Sequence, residues 1–342
     1  MATIADLAQR LGLSPSTVSR ALADHPHING ETKRRVRACA QEMDYHPNRL
    51  ARGLRAGRTR TLGLVVLDVS DPFYTEIARG IEDAALHRGY MLMLCNADNS
   101  ATREAALVDL LSEHQVDGLL ITPADRAVPR AAAARGQHVI LIDADSPDPG
   151  ISSVSVDHDF GARIAMEHLI GLGHRRIAFI NWTLEAPHCA RAQHGVTSTL
   201  AAHGLSVDPA LMVVVDRPDS ICGAAATERF LTLPNPPTAI FAYGDLMAYG
   251  AMSAAQAAGL QVPRDLSVVG YDDIPLAEHL IPPLTTVRQD TYEIGRCAAN
   301  VLIEEIEGSS LRQRISVQAR LSVRGSTTVA HATQPATDAL PA

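Results

Sequence analysis

The sequence predicts an α/β protein: an all-α helix-turn-helix head at the N-terminus, then a two-lobed body of parallel sheets. Three observations carry this reading. Up to about residue 45 the apolar residues recur at helical spacing between capping residues. From residue 61 buried-strand runs alternate with helical segments. Charge divides at the same place: residues 1–60 hold eleven Lys and Arg against five Asp and Glu, and the rest holds 19 against 33. A basic head on an acidic body points to a head that meets a polyanion. A merely solvated charged face is the alternative.

The head elements follow in order. TIADLAQRL (3–11) sets Ile4, Leu7, Ala8 and Leu11 on one stripe, with Thr3 as N-cap. Gly12 ends this helix, as a residue free to take positive φ. Ser14 caps the next helix and Pro15 takes its first position, where no amide donor is needed. That helix runs to about Leu22, with Val18, Ala21 and Leu22 inward. Thr32 is expected to cap a third helix along Val36, Ala40 and Met43. Helix, Gly-containing turn, helix is the layout that sends its second helix into the DNA major groove. The hydroxyls of Ser14, Ser16, Thr17 and Ser19 suit phosphates and bases, and Arg20 can reach a guanine edge with two bonds. An ordinary capped surface helix is the alternative for this stretch taken alone.

In YHPNRLARGLRAGRTRT (45–61), Asn48 can cap a short helix at about 49–56. Gly53 and Gly57 each weaken it by about 1 kcal/mol relative to Ala, so it should form only against a partner. Leu54 could wedge into the minor groove; a flexible basic linker is the alternative.

The first two segments together resemble the head of the lactose-repressor (LacI/GalR) family of bacterial transcription regulators. The resemblance implies a helix-turn-helix followed by a hinge helix that orders on the operator, with Leu54 inserted at the central step. It assigns operator preference to Pro15, Ser16 and Arg20; Pro15 departs from the longer polar residues common at its position and offers apolar contact only. The DNA-contacting set is then Thr3, Ser14, Pro15, Ser16, Thr17, Ser19, Arg20, Asn29 and Tyr45 in the head, with Asn48, Ala51, Leu54 and Arg55 in the hinge.

In the body, TLGLVVLD (61–68), YMLMLCN (90–96), DGLLIT, HVILID and SSVSV read as strands, with helices at about 73–88 and 101–114. A second series has helices at about 158–172, 189–203, 221–231 and 245–258, and strands RRIAFIN, LMVVVD, TAIFAYG and LSVVGYD. Such alternation argues for parallel sheets covered on both faces. Here the stretches DPFYTEIARGIEDAALHRGY, VDGLLI, HLIGLGHRRIAFI, DLMAYGAMSAAQAAGLQVPRDLSVVGYDD and PPLTTVRQD resemble the same family's regulatory domain, a relative of periplasmic sugar-binding proteins. The resemblance runs from residue 2 to about 325. It implies chain crossings between lobes near 156–160, 285–290 and 316–320. The expected organisation is a head at 1–47, hinge at 48–60 and body at 61–330. Lobe 1 takes about 61–157 and 288–317, lobe 2 about 158–287 and 318–330, and 331–342 is a disordered tail. It also implies a homodimer with dimer surface around 75–88; the tail lacks leucine heptads, so no tetramer-forming coiled coil is expected.

Ligands in open α/β sheets bind beyond the carboxyl ends of strands. Those ends hold Asp68, Ser70, Asp71, Phe73, Tyr74, Asp143, Asp157, Asn181, Trp182, Asp245 and Asp272, with Arg191 in the helix after Trp182. Carboxylates accept from hydroxyl pairs, Arg donates, and aromatic faces cover ring edges, which suits a polyhydroxylated ligand. The expected ligand set is Phe73, Tyr74, Asp143, Asp157, Trp182, Arg191, Asp245 and Asp272, for a sugar or sugar derivative. Helix capping is the alternative for strand-end aspartates, Asp245 above all. Trp182 marks either an altered pocket or a core aromatic. Gly244 stands where the family often has Asn, and Arg191 lies one residue off the family's ligand Arg.

Other classes find little support. No apolar run reaches membrane length, and MATIADLAQR lacks the layout of a secretion signal. Five scattered cysteines without a C-x-x-C pair suggest a reduced cytoplasm. No phosphate-cradling glycine motif, zinc motif or nucleophile elbow occurs, so neither cofactor, metal nor catalysis is expected. His25 with His27, or His188 with Cys189, are pairs too small for a zinc site. A solute-binding protein and an α/β enzyme are the rivals to a ligand-controlled repressor; inducer and corepressor are both open.

Overall fold

The computed structural model describes residues 2–45, 58–146, 148–184 and 186–330. The chain forms two compact units, residues 1–59 and 60–342. The expected hinge helix, with Asn48, Ala51, Leu54 and Arg55, and the expected tail at 331–342 lie outside the described residues.

The first unit contains α1 (Ile4–Leu11), α2 (Pro15–Leu22) and α3 (Gly30–Glu42) around a core of Leu7, Ala8, Val18, Ala21, Val36, Cys39 and Ala40. So small a core gains from well-made helix ends. Thr3 and Asp6 form a capping box, Ser14 accepts from the Thr17 amide, and Gly12 ends α1 at φ 66°. The third helix corrects an expectation. Its N-cap is Asn29, whose Oδ1 accepts from the Thr32 amide at 2.7 Å, and Thr32 lies inside the helix. With Asn29 accepting from its amide, Thr32 becomes the third residue of a helix that starts earlier than a Thr32 cap would place it.

The second unit has two six-stranded sheets. The first contains β1 (Thr61–Val66), β2 (Met91–Asn96), β3 (Gly118–Ile121), β4 (Val139–Ile142), β5 (Ser152–Val156) and β11 (Arg314–Val317), in the order β11-β5-β4-β3-β1-β2, all parallel. The second contains β6 (Ile177–Asn181), β7 (Met212–Val214), β8 (Ala239–Ala242), β9 (Ser267–Asp272), β10 (Thr285–Arg288) and β12 (Arg320–Ser322), in the order β12-β10-β9-β8-β6-β7. Only β12 runs antiparallel to its neighbour. The chain passes between sheets after β5, after β10 and between β11 and β12.

Helices cover both sheets. Lobe 1 carries α4 (Pro72–His87), α5 (Ala101–Glu113), α6 (Ala127–Ala134) and α11 (Thr291–Ile306). Lobe 2 carries α7 (His158–Gly171), α8 (Pro187–Ala202), α9 (Ser220–Leu231) and α10 (Asp245–Ala257). The central strands β3, β4, β5, β6 and β8 are buried throughout, as parallel strands covered on both faces should be. Sequence reading passed over α6, α11 and the short strands β10, β11 and β12. No described helix is long and apolar enough to cross a membrane.

Candidate functional sites

The N-terminal end of α2 gathers hydroxyls. Ser14 Oγ lies 2.9 Å from Ser16 Oγ and 2.8 Å from Thr17 Oγ1. Pro15, Ser16 and Arg20 are exposed, Ser19 is half-buried, and Val18 faces the core. The positive end of the helix dipole and an exposed hydroxyl cluster together make a surface suited to phosphates. Thr3 and Asn29 are exposed but spend oxygen lone pairs on capping. Tyr45 packs against the head core.

The second site lies between the lobes of the body, at the carboxyl ends of both sheets. Lobe 1 supplies Asp71, Phe73 and Tyr74 from the start of α4, and Asp143 from the end of β4. Lobe 2 supplies Trp182 after β6, His188 from α8, Tyr243 and Gly244 after β8, Asp245, and Asp272 at the end of β9. Gln289, on the crossing after β10, completes the wall. The cavity is open to solvent and holds only about 40 Å³, so a sugar-sized guest must extend into the adjoining grooves or part the lobes. Wider grooves adjoin it on two sides: one shares Trp182, the other shares Phe73, Asp272 and Gln289.

The strand ends are bent to aim their side chains inward. Asp143 has φ 56° and Asp272 φ 112°, conformations that cost an L residue energy and concentrate at functional sites. Gly244 has φ 148°, a conformation that favours glycine. Asp71 caps α4, accepting from the Phe73 amide at 2.9 Å.

The electrostatics are acidic. Desolvation lifts Asp71 to about 6 and Asp245 to about 8, and drives Asp272 well above the usual carboxylate range, with Asp71 and Asp245 adding repulsion. Burial lowers His188 to about 4, so it is neutral near pH 7. A ring cluster underlies the floor: His188 lies 5.7 Å from His158 and 5.8 Å from Trp182, and Tyr243 lies 4.6 Å from Tyr271. Tyr243 Oη is 2.8 Å from His158 Nδ1, and His158 Nε2 is 3.1 Å from Asp143 Oδ1.

The structure thus gathers Phe73, Tyr74, Asp143, Trp182, Asp245 and Asp272 around one cavity. Two expected members stand apart. Arg191 is held by Asp145, an ion pair across the lobes, with Asp157 3.7 Å from its guanidinium. Asp157 caps α7 through the Phe160 amide, and neither residue belongs to the cavity wall. Asp245 corrects the capping alternative. Gly244 is the cap position of α10, while the Asp245 carboxylate accepts from Thr286 Oγ1 at 2.5 Å and the Ile274 amide at 2.8 Å. Asn181 is buried and clamps its own loop through the Cys189 carbonyl and the Trp182 amide. Sequence reading missed His158, His188, Tyr243 and Gln289. Tyr243 follows a strand that the sequence shows, which was the available signal; Gln289 follows β10, which it does not show.

A helix-turn-helix unit joined in one chain to a two-lobed, cleft-bearing α/β unit defines a DNA-reading regulator with a small-molecule receptor. The chain belongs to the LacI family of bacterial regulatory proteins, whose model matches residues 3–48, and a periplasmic binding protein-like domain matches residues 166–327. It is 34% identical to the HTH-type transcriptional repressor CytR of Escherichia coli K12, over 95% of this chain and 96% of that protein. It is 35% identical to the ribose operon repressor of the same organism, over 95% and 100% respectively. Among solved structures, the lac repressor dimer bound to operator and the anti-inducer ONPF superposes with a TM-score of 0.87 at 27% identity, covering 96% of this chain and 99% of that one. The transcriptional regulator CelR in complex with cellobiose gives a TM-score of 0.73 at 31% identity, covering 95% and 100%.

Proposed function

We propose that the chain is a cytoplasmic transcriptional repressor that binds a pseudo-palindromic operator as a homodimer and answers to a small effector in the interlobe cleft. It acts by binding, not turnover. The observation that carries this is the aromatic and carboxylate-lined cavity between two lobes, in a chain whose other unit is a basic helix-turn-helix. The operator-bound dimer and the cellobiose-bound regulator among its structural relatives support the two halves of the reading.

The head contacts are Ser14, Ser16, Thr17, Ser19 and Arg20, with Thr3, Pro15, Asn29 and Tyr45 around them. By family resemblance Asn48, Ala51, Leu54 and Arg55 form the hinge contacts. Two-fold symmetry in the protein sets half-site spacing in the DNA. The effector contacts are Phe73, Tyr74, Asp143, Trp182 and Asp272, for a sugar or sugar derivative. Effector alters operator affinity only through its different affinity for the two lobe settings, so either sign of response obeys the same linkage.

The test is direct. The purified full chain should bind one pseudo-palindromic duplex in preference to random DNA, with affinity falling steeply as salt rises. An effector found through Trp182 emission should shift that affinity. Leu54→Ala should weaken operator binding and leave effector binding intact. A chain with no salt-sensitive preference among palindromic duplexes, with or without metabolites, would overturn the reading.

A further inference from the structure

We infer that the cleft selects a ligand that donates hydrogen bonds and bears no anionic group, a neutral or aminated polyol, and rejects its phosphorylated or acid counterpart. This rests on the cleft being the effector site, as proposed above.

The first ground is the lining itself. Among the described residues, the cavity wall contains Asp71, Asp143, Asp245 and Asp272 and no Lys or Arg. Two cations of lobe 2 that reach toward the cleft are engaged with carboxylates outside the cavity wall. Arg191 holds Asp145 and Asp157, and Arg217 lies 3.4 Å from Asp219 and 3.9 Å from Asp68. In the adjoining groove Arg79 lies 3.5 Å from Glu76 and Arg324 2.7 Å from Asp273, and Arg288 lines the same groove; none of the three lines the cavity itself.

The second ground is independent of the acids. Gln289 is 4% exposed and lines the cavity, and its Oε1 has no partner. Its amide is oriented by Nε2, which donates to Asp272 Oδ1 at 2.7 Å. A buried carbonyl oxygen without a donor is costly and rare, and a guest hydroxyl or ammonium would satisfy it. Asp71 Oδ1 is used by the Phe73 amide. Asp272 Oδ1 is used by Gln289, and its Oδ2 lies 3.9 Å from where a Cβ on Gly244 would stand. The wall therefore offers acceptors to a guest from both lobes.

The rings agree with this. Trp182, Phe73, Tyr74 and Tyr243 present π-faces, which cover sugar C–H edges and attract ammonium groups equally. Shared by both guests is the donor; a phosphate or carboxylate brings only acceptors and a like charge. Asp71, raised only to about 6, is mostly ionised near pH 7 and repels an anion, and Gln289 Oε1 offers an anion no donor; together these suffice for a discrimination of about thirtyfold.

The experiment uses the full chain and its single tryptophan, Trp182, whose emission reports the cleft alone. Matched probes are titrated: ribose against ribose 5-phosphate, adenosine against its 5′-monophosphate, and glucose against glucosamine and glucose 6-phosphate. The expected result is that the probes which bind are uncharged or aminated, with each phosphate at least about thirtyfold weaker than its parent. The glucosamine arm separates an ammonium from a hydroxyl as the donor. A phosphorylated probe that equals or exceeds its parent overturns the inference while leaving the cleft as effector site. Silence to every probe overturns the cleft reading and this inference with it. Asp71→Asn keeps a residue able to cap α4 and removes one charge. It should narrow the discrimination several-fold, and an unchanged ratio counts against the carboxylate wall as its source.

Discussion

His158 Nε2 stands 3.1 Å from Asp143 Oδ1, and the contact joins the two lobes at the floor of the cleft. The other ring nitrogen, Nδ1, has Tyr243 Oη at 2.8 Å and Tyr271 Oη at 3.4 Å, while the Nε2–carboxylate approach is a close charge-facing contact without hydrogen-bond geometry. Both partners are buried. His158→Ala removes the partner of the buried Tyr243 hydroxyl and leaves a void among the rings, which should cost about 2–3 kcal/mol of stability. It should also weaken effector binding, since the closed setting loses a lobe-to-lobe contact. Urea unfolding of parent and variant measures the first effect, and Trp182 titration the second. Equal midpoints would show that the contact contributes nothing.

Arg191 gives a prediction that separates two roles. Its pair with Asp145 crosses the lobes but is nearly half exposed, and such pairs contribute about 0–1 kcal/mol. Arg191→Ala should therefore reduce effector affinity by no more than about fivefold, without altering which ligands bind. A loss approaching a hundredfold in the same titration would mean that Arg191 touches the ligand after all.

These two cases also show what the sequence makes legible. The head reads well because its signals are local: Thr3 to Asp6, Gly12 at a helix end, Ser14 before Pro15. The inner strands read well because burial on both faces leaves long apolar runs such as TLGLVV and VILI. By contrast β10, β11 and β12 are the short, half-polar TTVR, RISV and RLS, and pairing with β9, β5 and β10 makes them strands. Gln289 was missed for that reason: it follows a strand that periodicity does not reveal. His158 was missed because its partner Asp143 belongs to the other lobe, and no spacing along the chain encodes lobe closure. Arg191 was placed in the ligand set by position and resemblance, and no spacing along the chain shows that Asp145 of the other lobe pairs with it.

For the head, Arg20 is exposed one turn beyond Ser16 on α2. Arg20→Ala should relax preference at one base pair per half-site, costing about 1–3 kcal/mol there and little elsewhere. Selection from a randomised operator library reads this position by position. An unchanged consensus would remove Arg20 from base recognition and leave the serine cluster with phosphates alone.

The cleft carboxyls make stability fall as pH rises above neutrality. Asp71 and Asp245 hold protons in the folded chain up to about 6 and about 8, and Asp272 is raised well above the ordinary value of 3.8. The unfolded chain releases those protons near its ordinary value, so their contribution is complete below about pH 4 and is lost as pH rises through the folded values. His188 acts in the opposite sense: lowered from 6.5 to about 4, it is protonated more readily in the unfolded chain, which penalises folding as pH drops below 6.5. The two effects oppose each other between pH 4 and 6.5. Above that range His188 no longer titrates, and the carboxyls act alone. Three carboxyls outweigh one imidazole even between pH 4 and 6.5, so these groups make the melting temperature decline with rising pH, by several degrees from pH 6 to pH 8.5. Asp272→Asn retains an acceptor for Gln289 and a residue that tolerates positive φ, and it should flatten the decline. Calorimetry of both proteins in matched buffers decides it; a variant as pH-sensitive as the parent would relieve Asp272 of this role.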